Sequence, residues 1–264
     1  MTFLQALILA IIEGLTEFLP VSSTGHMIIG TALMNMQPTP FVKLFTIVIQ
    51  LGTILSVLAL YFKRFFRSLD FYYKLVVAAI PASILGLALN DFIDSLLESP
   101  LMVAVMLVIG GVILLFVDKW FNKPTIENSD EITYKQSFII GLYQCLALIP
   151  GTSRSASTIV GAMTQNLTRK AAAEFSFFLA IPMMLGASIV KLYKFIKEGH
   201  TFSGDEINLL IIGNVVGFIV AIIAIKTFIN ILTKHGFKAF GWYRIIVGLI
   251  ILALLLSGHE LSII

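Results

Sequence analysis

The sequence predicts an all-α polytopic membrane protein, an inverted-topology repeat of six transmembrane helices plus two re-entrant helical hairpins. Three observations predict it. Of its 264 residues, 58% are hydrophobic and only 12% charged, with a mean hydropathy of +0.97. Six segments are long and apolar enough to cross a bilayer. Two further apolar regions are each interrupted midway by a short turn of Pro, Ser, Thr and Gly.

A soluble domain carries roughly 25% charged residues. The deficit here is too large for a surface that must present polar cover to water. The net charge of +3 is too small to suggest a nucleic-acid partner, and no basic aromatic stripe supports one. It does suit loops beside anionic headgroups. Cys145 is the single cysteine, so no internal disulfide forms and the redox compartment is not legible from it. The N-terminus has no basic n-region and no small-residue cleavage site. Its apolar run contains Glu13, unlike a cleaved signal peptide.

A spanning helix needs about 20 apolar residues. Segments 41–62, 71–90, 101–117, 171–195, 207–229 and 241–257 meet that length. The longest polar separator, 118–135, divides the chain into a first half, 1–118, and a second, 134–264, within one membrane domain. Regions 1–36 and 134–166 break at 20–25 and 150–155, leaving arms too short to cross. Non-helical backbone at membrane depth is tolerated inside protein or along a cavity. The breaks therefore predict re-entrant hairpins with tips near the midplane.

The halves correspond at a spacing of 130, which pairs Pro20 with Pro150 and Ser23 with Ser153. Three spans per half invert the second copy, a layout known from transporters. Lys63, Arg64, Arg67, Lys119, Lys123, Lys135, Lys226, Lys234, Lys238 and Arg244 mark one side as cytoplasmic. Lys194 and Lys197 on the other side weaken that signal. Both termini and the entry of the first hairpin then face outward.

The chemistry concentrates in the breaks. Glu13 and Glu17, four apart, share a helix face. Carboxylates in apolar surroundings are functional by default. Two together favour one holding a proton, or hold a divalent cation. The plainer alternative is a solvated pair at the membrane edge. Ser22, Ser23 and Thr24 begin the second arm. Helix capping accounts for one or two of these hydroxyls but not for three with His26 and two acids. His26 suits acid–base work or a phosphate contact, or a plain inter-helix hydrogen bond. The second break reads Pro150, Gly151, Thr152, Ser153, Arg154, Ser155, Ala156, Ser157. Gly151 allows close backbone approach to a ligand. Arg154 offers a fork that matches phosphate or carboxylate oxygens. Helix N-termini attract anions as well.

Other polar positions read more plainly. Gln50 and Glu174 lie inside spans and suit a supporting role. Asn90, Asp91, Asp94 and Glu98 read as an exposed loop. Lys191, Lys194, His200, His235 and His259 read as interfacial, and Met183 and Met184 as packing.

At 13–26, and at 150–155, the sequence resembles the undecaprenyl-diphosphatase, or bacitracin resistance protein, family. The resemblance extends over nearly the whole chain, with Ala156-Ser157 a soft departure. It implies hydrolysis of undecaprenyl diphosphate to the monophosphate and inorganic phosphate in the bacterial inner membrane, with the site facing outward. It implies Ser23 as nucleophile, with His26 protonating the leaving phosphate, orienting attack or itself attacking. Glu13 and Glu17 would activate Ser23 or hold a divalent cation, magnesium or calcium. Arg154 would grip the diphosphate, with Ser22, Thr24, Gly25, Thr152 and Ser153 around it. A homodimer is compatible with this reading. A transporter or flippase of a lipid phosphate is the alternative from another class.

Overall fold

The computed structural model describes residues 1–66, 69–89, 92–93, 96 and 99–257. Arg67, His259 and the loop expected at Asn90, Asp91, Asp94 and Glu98 lie outside the described residues.

Among the described residues there are eleven α-helices and no β-strand. The first hairpin is α1 (Phe3–Thr16) and α2 (Ser23–Leu33). Next come α3 (Pro40–Val48) and α4 (Gln50–Leu60), which together make one span, then α5 (Leu69–Ala88) and α6 (Pro100–Trp120). The second hairpin is α7 (Tyr134–Gln144) and α8 (Arg154–Thr164). The chain ends with α9 (Arg169–Lys197), α10 (Gly204–His235) and α11 (Lys238–Leu256). Six stretches are long and apolar enough to cross a membrane, and they coincide with the six predicted segments. The protein is a multi-pass membrane protein.

Hydroxyl caps begin four of the six spans. Thr39, Ser99, Thr168 and Ser203 each accept from the backbone N–H three residues on. Pro40 and Pro100 occupy first helical positions, where no N–H is missed. At Ile49 the first span is irregular, and the Gly52 N–H donates to Asn214 Oδ1 of α10 at 2.7 Å.

The hairpin arms are 14 and 11 residues in the first copy and 11 and 11 in the second. At ~1.5 Å per residue none matches a ~30 Å hydrocarbon core. Their backbone landmarks repeat. Thr2–Gln5 and Thr133–Gln136 are both capping boxes. Ser22 and Ser153, then Asn35 and Asn166, are the four non-glycine residues at positive φ among those described. Each of these pairs is 131 apart, one more than the spacing suggested by the prolines. Ser23 therefore corresponds to Arg154, and Glu13 to Gln144.

Packing is reciprocal as well. The arm α1 lies against α10, and α7 lies against α5, so each hairpin packs on the middle span of the other half. The third spans of the two halves, α6 and α11, pair with each other. The largest buried cluster centres on Phe18, Phe71, Phe177, Phe178 and Phe228. Phe18, from the first break, meets Phe177 edge-on with ring centroids 5.3 Å apart.

Candidate active site

Both breaks adopt one unusual conformation. Ser22 sits at φ 69°, ψ 99° and Ser153 at φ 73°, ψ 115°. Such backbone costs about 1–3 kcal/mol and persists only where its surroundings hold it. Ser153 Oγ accepts from the Ala156 N–H at 3.2 Å, whereas the Ser22 hydroxyl caps nothing.

Arg244 of α11 supplies the hold. It is fully buried, and its guanidinium donates to backbone carbonyls alone. Nη1 reaches Pro20 O at 3.2 Å and Thr152 O at 3.0 Å. Nη2 reaches Gly151 O at 2.9 Å and Met106 O at 3.1 Å, and Nε reaches Leu107 O at 3.4 Å. One side chain thus joins both turns to α6. Gly110 makes the room, since a Cβ there would fall 2.7 Å from Arg244 Cζ.

The turns bring Glu17, Ser23 and Arg154 together. Ser23 Oγ donates to Glu17 Oε2 at 2.7 Å. Arg154 Nη2 donates to Glu17 Oε1 at 2.7 Å, and its Nη1 to Ser176 O at 3.1 Å. The Arg154 guanidinium also lies 5.8 Å from the Phe18 ring centroid. Each oxygen of the Glu17 carboxylate therefore has one fixed partner, a hydroxyl on one side and a cation on the other. A hydroxyl beside an oriented carboxylate is the arrangement of an activated nucleophile.

These residues line a cavity of about 560 Å³ with Glu13, Ser22, Thr24, Gln50, Gln144 and Ser153. Glu13 is 1% exposed, and its Oε1 has no hydrogen-bond partner. From the turns the cavity runs past Pro182, Met183 and Met184 to Leu87, Val190 and Lys191. Lys191 and the two methionines, read as interfacial and packing residues, thus belong to its wall. Met184 Sδ also accepts from Arg154 Nη2 at 3.6 Å.

Several expected residues lie elsewhere. His26 does not line the cavity. Its Nδ1 is 2.8 Å from Ser22 O, and its Nε2 is 2.7 Å from the Tyr243 hydroxyl, with the two rings stacked. A carbonyl only accepts, so Nδ1 carries hydrogen and donates to Ser22. His26 thus buttresses the strained residue before Ser23. Gly25 faces α6, where a Cβ would stand 2.8 Å from Leu107 Cδ1. Gly151 (φ 87°) does line the cavity, but a Cβ there would press on the Val103 backbone of α6, so its lack of a side chain serves helix packing as well as access. Thr152 Oγ1 is buried without a partner and outside the cavity lining. Glu174 pairs with Arg64 at 2.6 Å, away from the cavity.

Sequence reasoning missed Arg244 and Gln144. Arg244 sits near the start of a span, where cations are ordinarily interfacial. Gln144 emerges only from the 131-residue spacing that sets it opposite Glu13.

Comparison with known proteins fits this geometry. The family model for the bacitracin resistance protein BacA matches residues 6–250. An undecaprenyl-diphosphatase of Flavobacterium johnsoniae is 63% identical over 265 residues, covering 100% of both chains. One of Porphyromonas gingivalis is 53% identical over 283 residues, again covering 100% of both. One of Aquifex aeolicus is 45% identical over 258 residues, covering 97% of this chain and 100% of its own. A match over nearly the full length, with the paired breaks inside it, places this chain in the bacitracin resistance protein family.

Proposed function

We propose that this protein hydrolyses undecaprenyl diphosphate to the monophosphate and inorganic phosphate, and so returns the carrier lipid to cell-wall synthesis. The observation that carries the reading is the Ser23–Glu17–Arg154 constellation, with both hydrogen bonds at 2.7 Å, at the floor of a cavity with a largely apolar wall. Ser23 Oγ attacks the terminal phosphorus while its proton passes to Glu17. The bond to the bridging oxygen breaks, and undecaprenyl phosphate leaves as an anion. Water then attacks the phosphoserine. Phosphate departs, and Ser23 recovers its proton. Arg154 neutralises charge on the phosphoryl oxygens, and phosphoryl transfer depends mainly on such positioning and charge. His26 acts through the backbone of Ser22.

Glu13 and Glu17 suit a divalent cation, magnesium or calcium. Glu13 Oε1 is a buried oxygen without a partner. Ions such as magnesium are commonly held by one or two carboxylates together with substrate phosphates. When bound, the ion would offset negative charge on the diphosphate.

The repeated landmarks and reciprocal packing support two halves of inverted topology with re-entrant hairpins. The positive-inside rule puts Lys63, Lys119 and Lys123 in the cytoplasm. On that orientation the cavity runs toward the outer ends of α5 and α9, where Leu87, Val190 and Lys191 line it. The site would then face outward from the inner membrane. Bacitracin binds the diphosphate form of the lipid, so its removal relates this activity to resistance.

The test is an assay of the purified protein in detergent and in vesicles. Phosphate release from undecaprenyl diphosphate, lost with EDTA, supports the hydrolase and its metal. Release unaffected by EDTA removes the metal. Movement of intact lipid across vesicles without phosphate release would replace the hydrolase by a transporter.

A further inference from the structure

We infer that Gln144 is a substrate-contacting residue whose side-chain amide donates to an oxygen of the diphosphate. The inference rests on the hydrolase reading above and deepens it. Gln144 closes α7 and is 1% exposed. Neither Oε1 nor Nε2 has a hydrogen-bond partner. It lines the same cavity as Ser23, Glu17 and Arg154. Leaving a buried polar atom unsatisfied is costly, and folded proteins rarely tolerate it without reason. A ligand in the cavity supplies the partner.

Chemistry identifies the ligand group. The landmarks 131 apart make Gln144 the counterpart of Glu13, a carboxylate that lines the same cavity. A second carboxylate here would repel a diphosphate and compete for Arg154. An amide of the same length offers two N–H donors and no charge. It also restricts the site to ligands with acceptor oxygens at that depth, as a diphosphate has.

Wild type, Gln144→Met and Gln144→Glu are compared on undecaprenyl diphosphate in detergent, with melting temperature measured alongside. Methionine keeps the length and removes the polar atoms, so the fold should melt no lower than wild type. The expected kcat/KM falls about 10–100-fold, the size of a hydrogen bond to a charged group. Gln144→Glu should fall further, and added magnesium should not restore it. Methionine activity within twofold of wild type would overturn the inference. So would a glutamate variant equal to wild type, because the side chain would then serve a cation. Binding is followed separately, by the melting shift that undecaprenyl diphosphate causes in a Ser23→Ala background. If wild type releases no phosphate, hydrolysis fails. Gln144 still stands or falls on whether Gln144→Met loses that shift.

Discussion

Arg154 spreads its guanidinium over two directions, with Glu17 Oε1 at 2.7 Å and Ser176 O at 3.1 Å. The side chain is thereby aimed before any substrate arrives, and Glu17 is held with its other oxygen toward Ser23. A lysine reproduces the charge but not the fork. Arg154→Lys should therefore lower kcat/KM by about 100-fold or more while the protein still folds, in line with charge-assisted bidentate contacts. Steady-state phosphate release checks this. Near-normal rates would reduce Arg154 to a structural ion pair. Glu17, Ser23 and Arg154 were legible as candidates because ionisable groups inside apolar sequence need a partner or a task. The direction of His26 was not, because sequence distance to Ser23 says nothing of a stacking partner such as Tyr243, 217 residues away.

Among the elements, the six spans were legible to within a few residues, apart from the longer reach of α10, because bilayer thickness sets their length and hydroxyl caps mark the starts of four of them. The two breaks were legible from Pro20 and Pro150. The register between them was not. The prolines suggest 130, while Ser22 with Ser153 and Asn35 with Asn166 set 131. Side-chain identity is a weak guide where the repeated feature is a backbone angle. The same reason hid Arg244, whose partners are all carbonyls. Arg244→Met should leave those carbonyls short of donors, costing about 2–5 kcal/mol. Both turns should then loosen together. Thermal unfolding in detergent should show a clear drop in melting temperature with loss of activity. An unchanged melting temperature would mean that the strained serines are held by something else.

Across the whole molecule, the reciprocal packing of each hairpin on the other half's middle span implies that neither half completes the cavity alone. The first hairpin supplies Glu17 and Ser23 and the second supplies Arg154. The proposed orientation rests on loop charge and is testable with the single native cysteine removed. In a Cys145→Ser background, Thr201→Cys should react with an impermeant maleimide on intact spheroplasts. Lys123→Cys should react only after lysis. Both positions are exposed in the structure. The opposite pattern would invert the protein and turn the cavity to the cytoplasm.

In the proposed reaction the Ser23 hydroxyl, held by Glu17, is the group that takes the phosphoryl. Phosphate release from undecaprenyl diphosphate by wild type and by Ser23→Ala tests it most directly. The substitution removes one oxygen and leaves Arg154, Glu17 and the turns in place. Ser23→Ala should lose at least about 10³-fold in kcat, as expected when a reacting nucleophile is deleted, with lipid binding retained. Full turnover by Ser23→Ala would contradict it and pass the reacting role to another group.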